Sequence, residues 1–75
     1  MKGFEKGKLQ ASLSIRDAVK IINDGKIHIA LVVDENDKLI GTITDGDVRR
    51  GILKGYSLND NCKKIMKKNF ISVSI

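Results

Sequence analysis

Aromatic side chains make up only 4% of this 75-residue chain. That is too few for the ring platforms on which single-stranded nucleic acids stack, and no DNA-reading motif is recognisable. A single cysteine, Cys62, excludes an internal disulfide and gives a thiolate zinc site no second anchor. A single histidine, His28, stands between Ile27 and Ile29, so the sequence implies a structural residue at the start of a strand and no metal. The longest unbroken apolar run is Ile29–Val33, far short of the ~20 residues a membrane helix needs. The first eight residues hold no apolar core, so they are no secretory signal. No glycine-rich phosphate loop of the Walker or Rossmann form is present. The acidic run Asp34-Glu35-Asn36-Asp37 is no calcium loop. Lys38 falls on a ligand position, Leu39 on the required glycine, and Asp45 where a glutamate belongs. No serine or cysteine has a base partner in the sequence, and nothing holds the pairs Asp34/Asp37 and Asp45/Asp47 at a set distance. The chain carries no catalytic residues on this reading.

Lysine and arginine, by contrast, number 14 against 9 Asp and Glu, for a net charge of +5 and a pI near 9.6. A basic domain raises nucleic acid as a partner. The charges are nevertheless spread out, with local density only at Arg49-Arg50, Lys63-Lys64 and Lys67-Lys68, which favours a solvated surface. A hydrophobic content of 41% with 31% charged residues is that of a soluble globular domain. A domain this small buries only about 60% of its unfolded surface. Without a disulfide or a metal, a partner is a common remedy.

Residues 1–8 read as a tail, and Leu9 to Leu13 as a short extended segment. Ser14-Ile15-Arg16-Asp17 is a capping box, followed by an amphipathic stripe of Ile15, Ala18, Val19 and Ile22 and a stop at Asp24-Gly25. Residues 27–33 are β-branched and apolar, predicting a central strand covered on both faces. A polar turn at 34–37 leads to a second strand at 38–44, forming an antiparallel hairpin. Thr44-Asp45-Gly46-Asp47 is a second capping box. It opens a helix to about Lys54, with Val48, Ile52 and Leu53 as its apolar stripe and Gly55 as its stop. Ser57-Leu58-Asn59-Asp60 is a third box, predicting a helix with Leu58, Cys62, Ile65 and Met66 on one face. Residues 70–75 form a last strand. The motif Ala11-Ser12-Leu13-Ser14-Ile15 returns in pattern at Ile71-Ser72-Val73-Ser74-Ile75, 60 residues on. One full repeat followed by the first strand of a second is the implied organisation over residues 9–75.

The most chemically capable stretch is Gly41-Thr42-Ile43-Thr44-Asp45-Gly46-Asp47. Free amides at a helix start attract anions. A carboxylate can accept both hydroxyls of a ribose, and a threonine hydroxyl can bond sugar or phosphate. Gly46 lets a ligand approach the backbone, and Arg49 and Arg50 lie one turn on, placed to neutralise phosphate. The same residues also read as a plain helix cap, as Ser14/Asp17 and Ser57/Asp60 do.

The segment from Ala30 to Arg50 resembles the signature of the cystathionine-β-synthase (CBS) domain, and the likeness extends more weakly over Leu9 to Ile75. The spacing Gly41, Thr44, Asp47 is similar to that family's adenosine-ligand motif. The resemblance implies an α/β (α+β) fold of β-α-β-β-α order, a single CBS motif that is half of a CBS pair. It implies a regulatory module binding AMP, ADP or ATP with no cofactor required. Thr44 and Asp47 would meet ribose and phosphate, and His28, Ile29 and Ala30 would flank the adenine. The family's first strand often offers a threonine to the ligand, where this chain has only Gln10 or Ser12. The wording of residues 44–50 resembles CBS pairs attached to sugar-phosphate isomerases and sugar-phosphate nucleotidyltransferases, and residues 51–58 look most like the nucleotidyltransferase kind, in which the CBS pair comes first in the chain, which implies a cytoplasmic parent enzyme. Expected partners are an adenine nucleotide and a second copy of the chain, with no membrane and with nucleic acid disfavoured. The homodimer is expected to join helices through Ile15, Val19 and Ile22 and through Val48, Ile52 and Leu53. In it, strand 70–75 would lie beside a first strand. A ligand-free dimerisation module and a basic nucleic-acid-binding domain are the alternatives.

Overall fold

Ser14 and Asp17 start the first helix as their spacing predicts. The Asp17 carboxylate accepts from the Ser14 amide at 3.1 Å and from the Ser14 hydroxyl at 3.0 Å. Helix α1 (Ile15–Asp24) then turns Ile15, Ala18 and Ile22 inward. These three pack on Leu9, Ala30, Val32 and Ile43, and burial of each larger aliphatic side chain stabilises the fold by roughly 1.5–3 kcal/mol. The computed structural model describes residues 7–24 and 28–74, of which 69–74 by backbone alone. Residues 1–6 of the expected tail, Gly25 as a helix stop, Ile27 as a strand start and Ile75 lie outside the described residues.

Four strands form one sheet in the order β1 (Lys8–Gln10), β2 (Ile29–Val33), β3 (Lys38–Thr44) and β4 (Lys67–Ser74). β1 runs parallel to β2, and the other neighbours are antiparallel. The hairpin turn between β2 and β3 is held by Asp34, whose carboxylate accepts from the amides of Asn36 and Lys38. Asp37 takes the left-handed conformation there, with φ of 65°. Helix α2 (Asp45–Leu53) follows β3 without a loop. It ends in a Schellman motif: Tyr56 N–H donates to Gly51 O and Gly55 N–H to Ile52 O, with Gly55 at φ 102°.

Several expectations are corrected. β1 is shorter than residues 9–13, because the chain turns after Gln10, where Leu13 N–H donates to Gln10 O. β2 is central, but the described residues cover only one of its faces. Ala30 and Val32 are buried while Ile29 and Leu31 are half-buried. The third capping box closes a turn and opens no helix. Leu58 and Asp60 give their carbonyls to the amides of Arg16 and Ile15 at the start of α1, so those carbonyls are not available to a helix of their own. Asn61 instead caps a short 3-10 turn, Cys62–Lys64, accepting from the Lys63 amide. The stripe Val48, Ile52, Leu53 is not the buried side of α2 either. That side is Asp47 and Gly51, while Ile52 and Leu53 are 44% and 81% exposed. Gly51 sets this rotation, since a Cβ there would stand 2.5 Å from Ile65 Cγ2.

The basis for helix-to-helix dimerisation shrinks accordingly. Ile15 and Ile22 are buried within the chain itself, and Val19 and Val48 are half-buried against its core. The last strand starts earlier than residue 70 and pairs with β3, on the sheet edge away from its own first strand.

Candidate functional site

Thr44 ends β3 and caps α2, and its backbone is extended, with φ −109° and ψ 171°. Its hydroxyl accepts from the Asp47 amide at 3.3 Å. Asp47 Oδ2 accepts from the Thr44 amide at 2.9 Å and from the Thr44 hydroxyl at 3.0 Å. The hydroxyl proton is thus committed to Asp47, leaving Thr44 one lone pair with which to accept from a ligand hydroxyl. Asp47 Oδ1 takes the Arg50 guanidinium at 2.5 Å. Burial alone would push the Asp47 carboxyl up. The Thr44 amide, the Arg50 guanidinium and the Thr44 hydroxyl outweigh it and hold the carboxyl below its ordinary value, with Lys67 helping from β4. The helix-cap reading of Thr44 and Asp47 is therefore realised in full, and no buried side-chain nitrogen or oxygen among the described residues lacks a partner.

The remaining predicted residues divide. Ile29 is the cross-strand partner of Thr44, and period-two alternation puts both on the uncovered face of the sheet. His28 is exposed just before it, in the left-handed region with φ 54°. Ala30 turns its methyl into the core at 0% exposure, so only its backbone is left for a ligand. Gly46 sits beneath Arg50, where a Cβ would stand 3.4 Å from Nη1. Gly41 has a packing reason instead: a Cβ there would lie 2.7 Å from Lys67 O and from Met66 Sδ. Arg50 joins the site, whereas Arg49 pairs with exposed Asp45 at 3.3 Å. Lys67 was not among the predicted site residues. It reaches the site because β4 pairs it with Thr42, a register that lysine spacing could not signal. Gln10 and Ser12 are not brought to Thr44. They line a groove of about 390 Å³ with Asp34, Glu35 and Lys63. Gln10 lies opposite Val33 and Thr44 opposite Ile29, so the two places are at opposite ends of β2.

Among the described residues no group of three His, Cys, Asp or Glu could hold a metal, and no helix is long and apolar enough to cross a membrane. Cys62 is buried, its thiol pushed up by that burial.

Comparison with known proteins narrows what this geometry is. The chain is 40% identical over 52 residues to an uncharacterized Helicobacter pylori protein, covering 69% of this chain and 16% of that one. It is 40% identical over 52 residues to the Haemophilus influenzae protein named probable arabinose 5-phosphate isomerase, covering 67% of this chain and 15% of the relative. The chain thus spans about one-sixth of the length of these curated relatives. Among solved structures, it superposes on the CBS domain pair of protein MJ0100 in complex with 5′-methylthioadenosine and S-adenosyl-L-methionine. The TM-score is 0.71 at 30% identity, covering 85% of this chain and 51% of the pair. The fold is therefore a single motif equivalent to half of such a pair. Residues 8–54, which carry β1, the hairpin, Thr44, Asp47 and both α-helices, match the family model described as CBS domain, and the chain belongs to that family.

Proposed function

We propose that the chain is a regulatory module that binds an adenine nucleotide, AMP, ADP or ATP, between two CBS motifs, with the ribose at Thr44 and Asp47. The observation that carries the reading is the Thr44–Asp47 pair at the β3–α2 junction, beside half-buried Ile29 and exposed His28, in a chain of this family. The solved pair at 30% identity holds two adenosine derivatives, which supports an adenosine moiety as the shared chemistry. Ile29 and His28 flank the adenine with the Ala30 backbone, Gly46 keeps the helix start open, and Arg49, Arg50 and Lys67 supply positive charge to the phosphates. Binding shifts the balance between two arrangements of the parent's domains, as a ligand does when it favours one of them. The parent we favour is a cytoplasmic sugar-phosphate nucleotidyltransferase, from the wording of residues 51–58. The isomerase relative supports the wider class of sugar-phosphate enzymes.

Calorimetric titration with AMP, ADP and ATP tests the site. Asp47→Ala is expected to weaken binding more than Thr44→Ala does. Loss of a charge-assisted bond costs about 1.5–3 kcal/mol, or roughly 10- to 150-fold in affinity. Melting temperature is recorded alongside, because loss of the cap alone costs about 1 kcal/mol of stability. Unchanged affinity in Asp47→Ala overturns the reading. The complete cap favours one rival, a ligand-free dimerisation module, and this predicts no heat with any nucleotide.

A further inference from the structure

We infer that the groove at the far end of β2 from Thr44 binds a free α-amino acid, held by its ammonium and its carboxylate at once. The groove has a volume of about 390 Å³, within the usual range for a small-molecule site. Separate segments supply its walls. Ala11 and Ser12 come from the turn after β1, Asp34 and Glu35 from the hairpin turn, Ile40 from β3 and Lys63 from the 3-10 turn. Hydrogen bonds tie these walls to one another. Ala11 N–H donates to Val33 O at 2.9 Å, next to Asp34. Asn61 Nδ2 donates to Ala11 O, and Asn61 Oδ1 accepts from the Lys63 amide, both at 2.9 Å. Asp34 Oδ1 accepts from the amides of Asn36 and Lys38 at 2.8 and 3.0 Å, which leaves Oδ2 to a ligand. Walls fixed before a ligand arrives lower the entropic cost of binding it.

The charges select the ligand. Among the described residues, Lys8, Arg49, Arg50 and Lys64 have carboxylate partners. Lys63 has none, although Asp34 and Glu35 line the same groove. The Ser12 hydroxyl and the Glu35 carboxylate make no hydrogen bond among the described residues either. Charges of both signs that share a groove without pairing leave room for a ligand that carries both, and a zwitterionic amino acid does. Its ammonium has three protons to donate to Asp34 Oδ2 and Glu35, and its carboxylate accepts from Lys63 and the Ser12 hydroxyl. Ala11 and Ile40, both half-buried, give an aliphatic side chain its apolar contact. A phosphate would meet two carboxylates here, and a simple cation would leave Lys63 unpaired. The inference is independent of the nucleotide reading, since Gln10 beside this groove and Thr44 stand at opposite ends of β2.

NMR titration of the parent chain with L-leucine, leucinamide and N-acetyl-leucine tests the site, read at the amides of Ser12, Glu35 and Lys63. Leucinamide keeps the ammonium and lacks the carboxylate; N-acetyl-leucine has the reverse. Each is expected to bind about 3- to 5-fold more weakly than leucine, the value of one partly exposed ion pair. This comparison needs no variant to fold. Lys63→Gln is expected to close the gap between leucine and leucinamide, and Glu35→Gln to narrow the gap between leucine and N-acetyl-leucine. Lys64→Gln keeps both gaps, because Lys64 pairs with Asp60 outside the groove. Unmoved groove amides at millimolar leucine, equal shifts with all three ligands, or both gaps retained in Lys63→Gln and Glu35→Gln would each overturn the inference. Leucine has neither ribose nor phosphate, so such a failure leaves the reading of Thr44 and Asp47 untouched.

Discussion

Asp47 is a carboxylate taken out of water and kept ionised by three donors. Its folded value lies below the ordinary 3.8, so folding favours the charged form. The stability this gives is fully present above the ordinary value, and falls away as pH drops through 3.8 and on through the lower folded value. Asp47→Asn is therefore expected to melt below the parent at pH 7, by about 1–2 kcal/mol for the lost charge-assisted bond. The gap should narrow at pH 3, as thermal melts by circular dichroism would show; an equal gap at both pH values contradicts the assignment. Some acid sensitivity should survive in the variant. Asp17 is held low by the Ser14 amide and hydroxyl, and Asp60 by the Ser57 amide. Thr44, Asp47 and the cap between them were legible from residue type and spacing, because a capping box is a local device. Burial of Asp47 and the separate fates of Arg49 and Arg50 were not, because they depend on how α2 is rotated against Ile65. Gly41 illustrates the same limit. Its spacing reads as part of a ligand motif, yet its contacts are with Met66 and the Lys67 carbonyl. Gly41→Ala is expected to destabilise by about 1–3 kcal/mol through overpacking, read as a lower melting temperature.

At the scale of elements, α1, β2, β3 and α2 were legible because each carries its own start signal, period or stop. The segment after Gly55 was not. Ser57 and Asp60 have the spacing of a helix cap, and their local bonds do form: Ser57 N–H donates to the Asp60 carboxylate at 2.8 Å. Long-range demand then decides the outcome, as α1 needs partners for its first amides and takes the carbonyls of Leu58 and Asp60. The residue that anchors this arrangement is Asn61. Its side-chain oxygen caps the 3-10 turn, and its Nδ2 donates to Ala11 O at 2.9 Å. Asn61→Ala should therefore destabilise by about 1–2 kcal/mol, through a lost cap and an unsatisfied carbonyl. Ser57→Ala should cost clearly less, because among the described residues Ser57 Oγ serves only the nearby Asn59 amide. The opposite ranking in thermal melts would restore the helix that the sequence alone predicts.

At the scale of the whole molecule, the described residues finish the sheet on one face and leave the other unfinished. α1 covers Leu9, Ala30, Val32 and Ile43, while alternation leaves Ile29, Leu31, Thr42 and Thr44 on the far side. Two of these, Ile29 and Thr44, belong to the candidate site, so a second motif laid on this face would close the ligand site as it buried Leu31. The solved pair that the chain half covers supplies that second motif within its own chain; here a second copy, related by a two-fold axis, can supply it through a self-complementary patch. The exposed pair Ile52 and Leu53 on α2 offers the competing surface. Sedimentation across a concentration series separates the possibilities. A dimer through the sheet predicts a melting temperature that rises with concentration, a mass above the 8.3 kDa of one chain, and dissociation in Leu31→Lys with helical content retained. Leu53→Lys should leave that dimer intact. Loss of the dimer in Leu53→Lys alone would move the interface to the helices. A cooperatively folded 8.3 kDa species at millimolar concentration would show that one motif suffices.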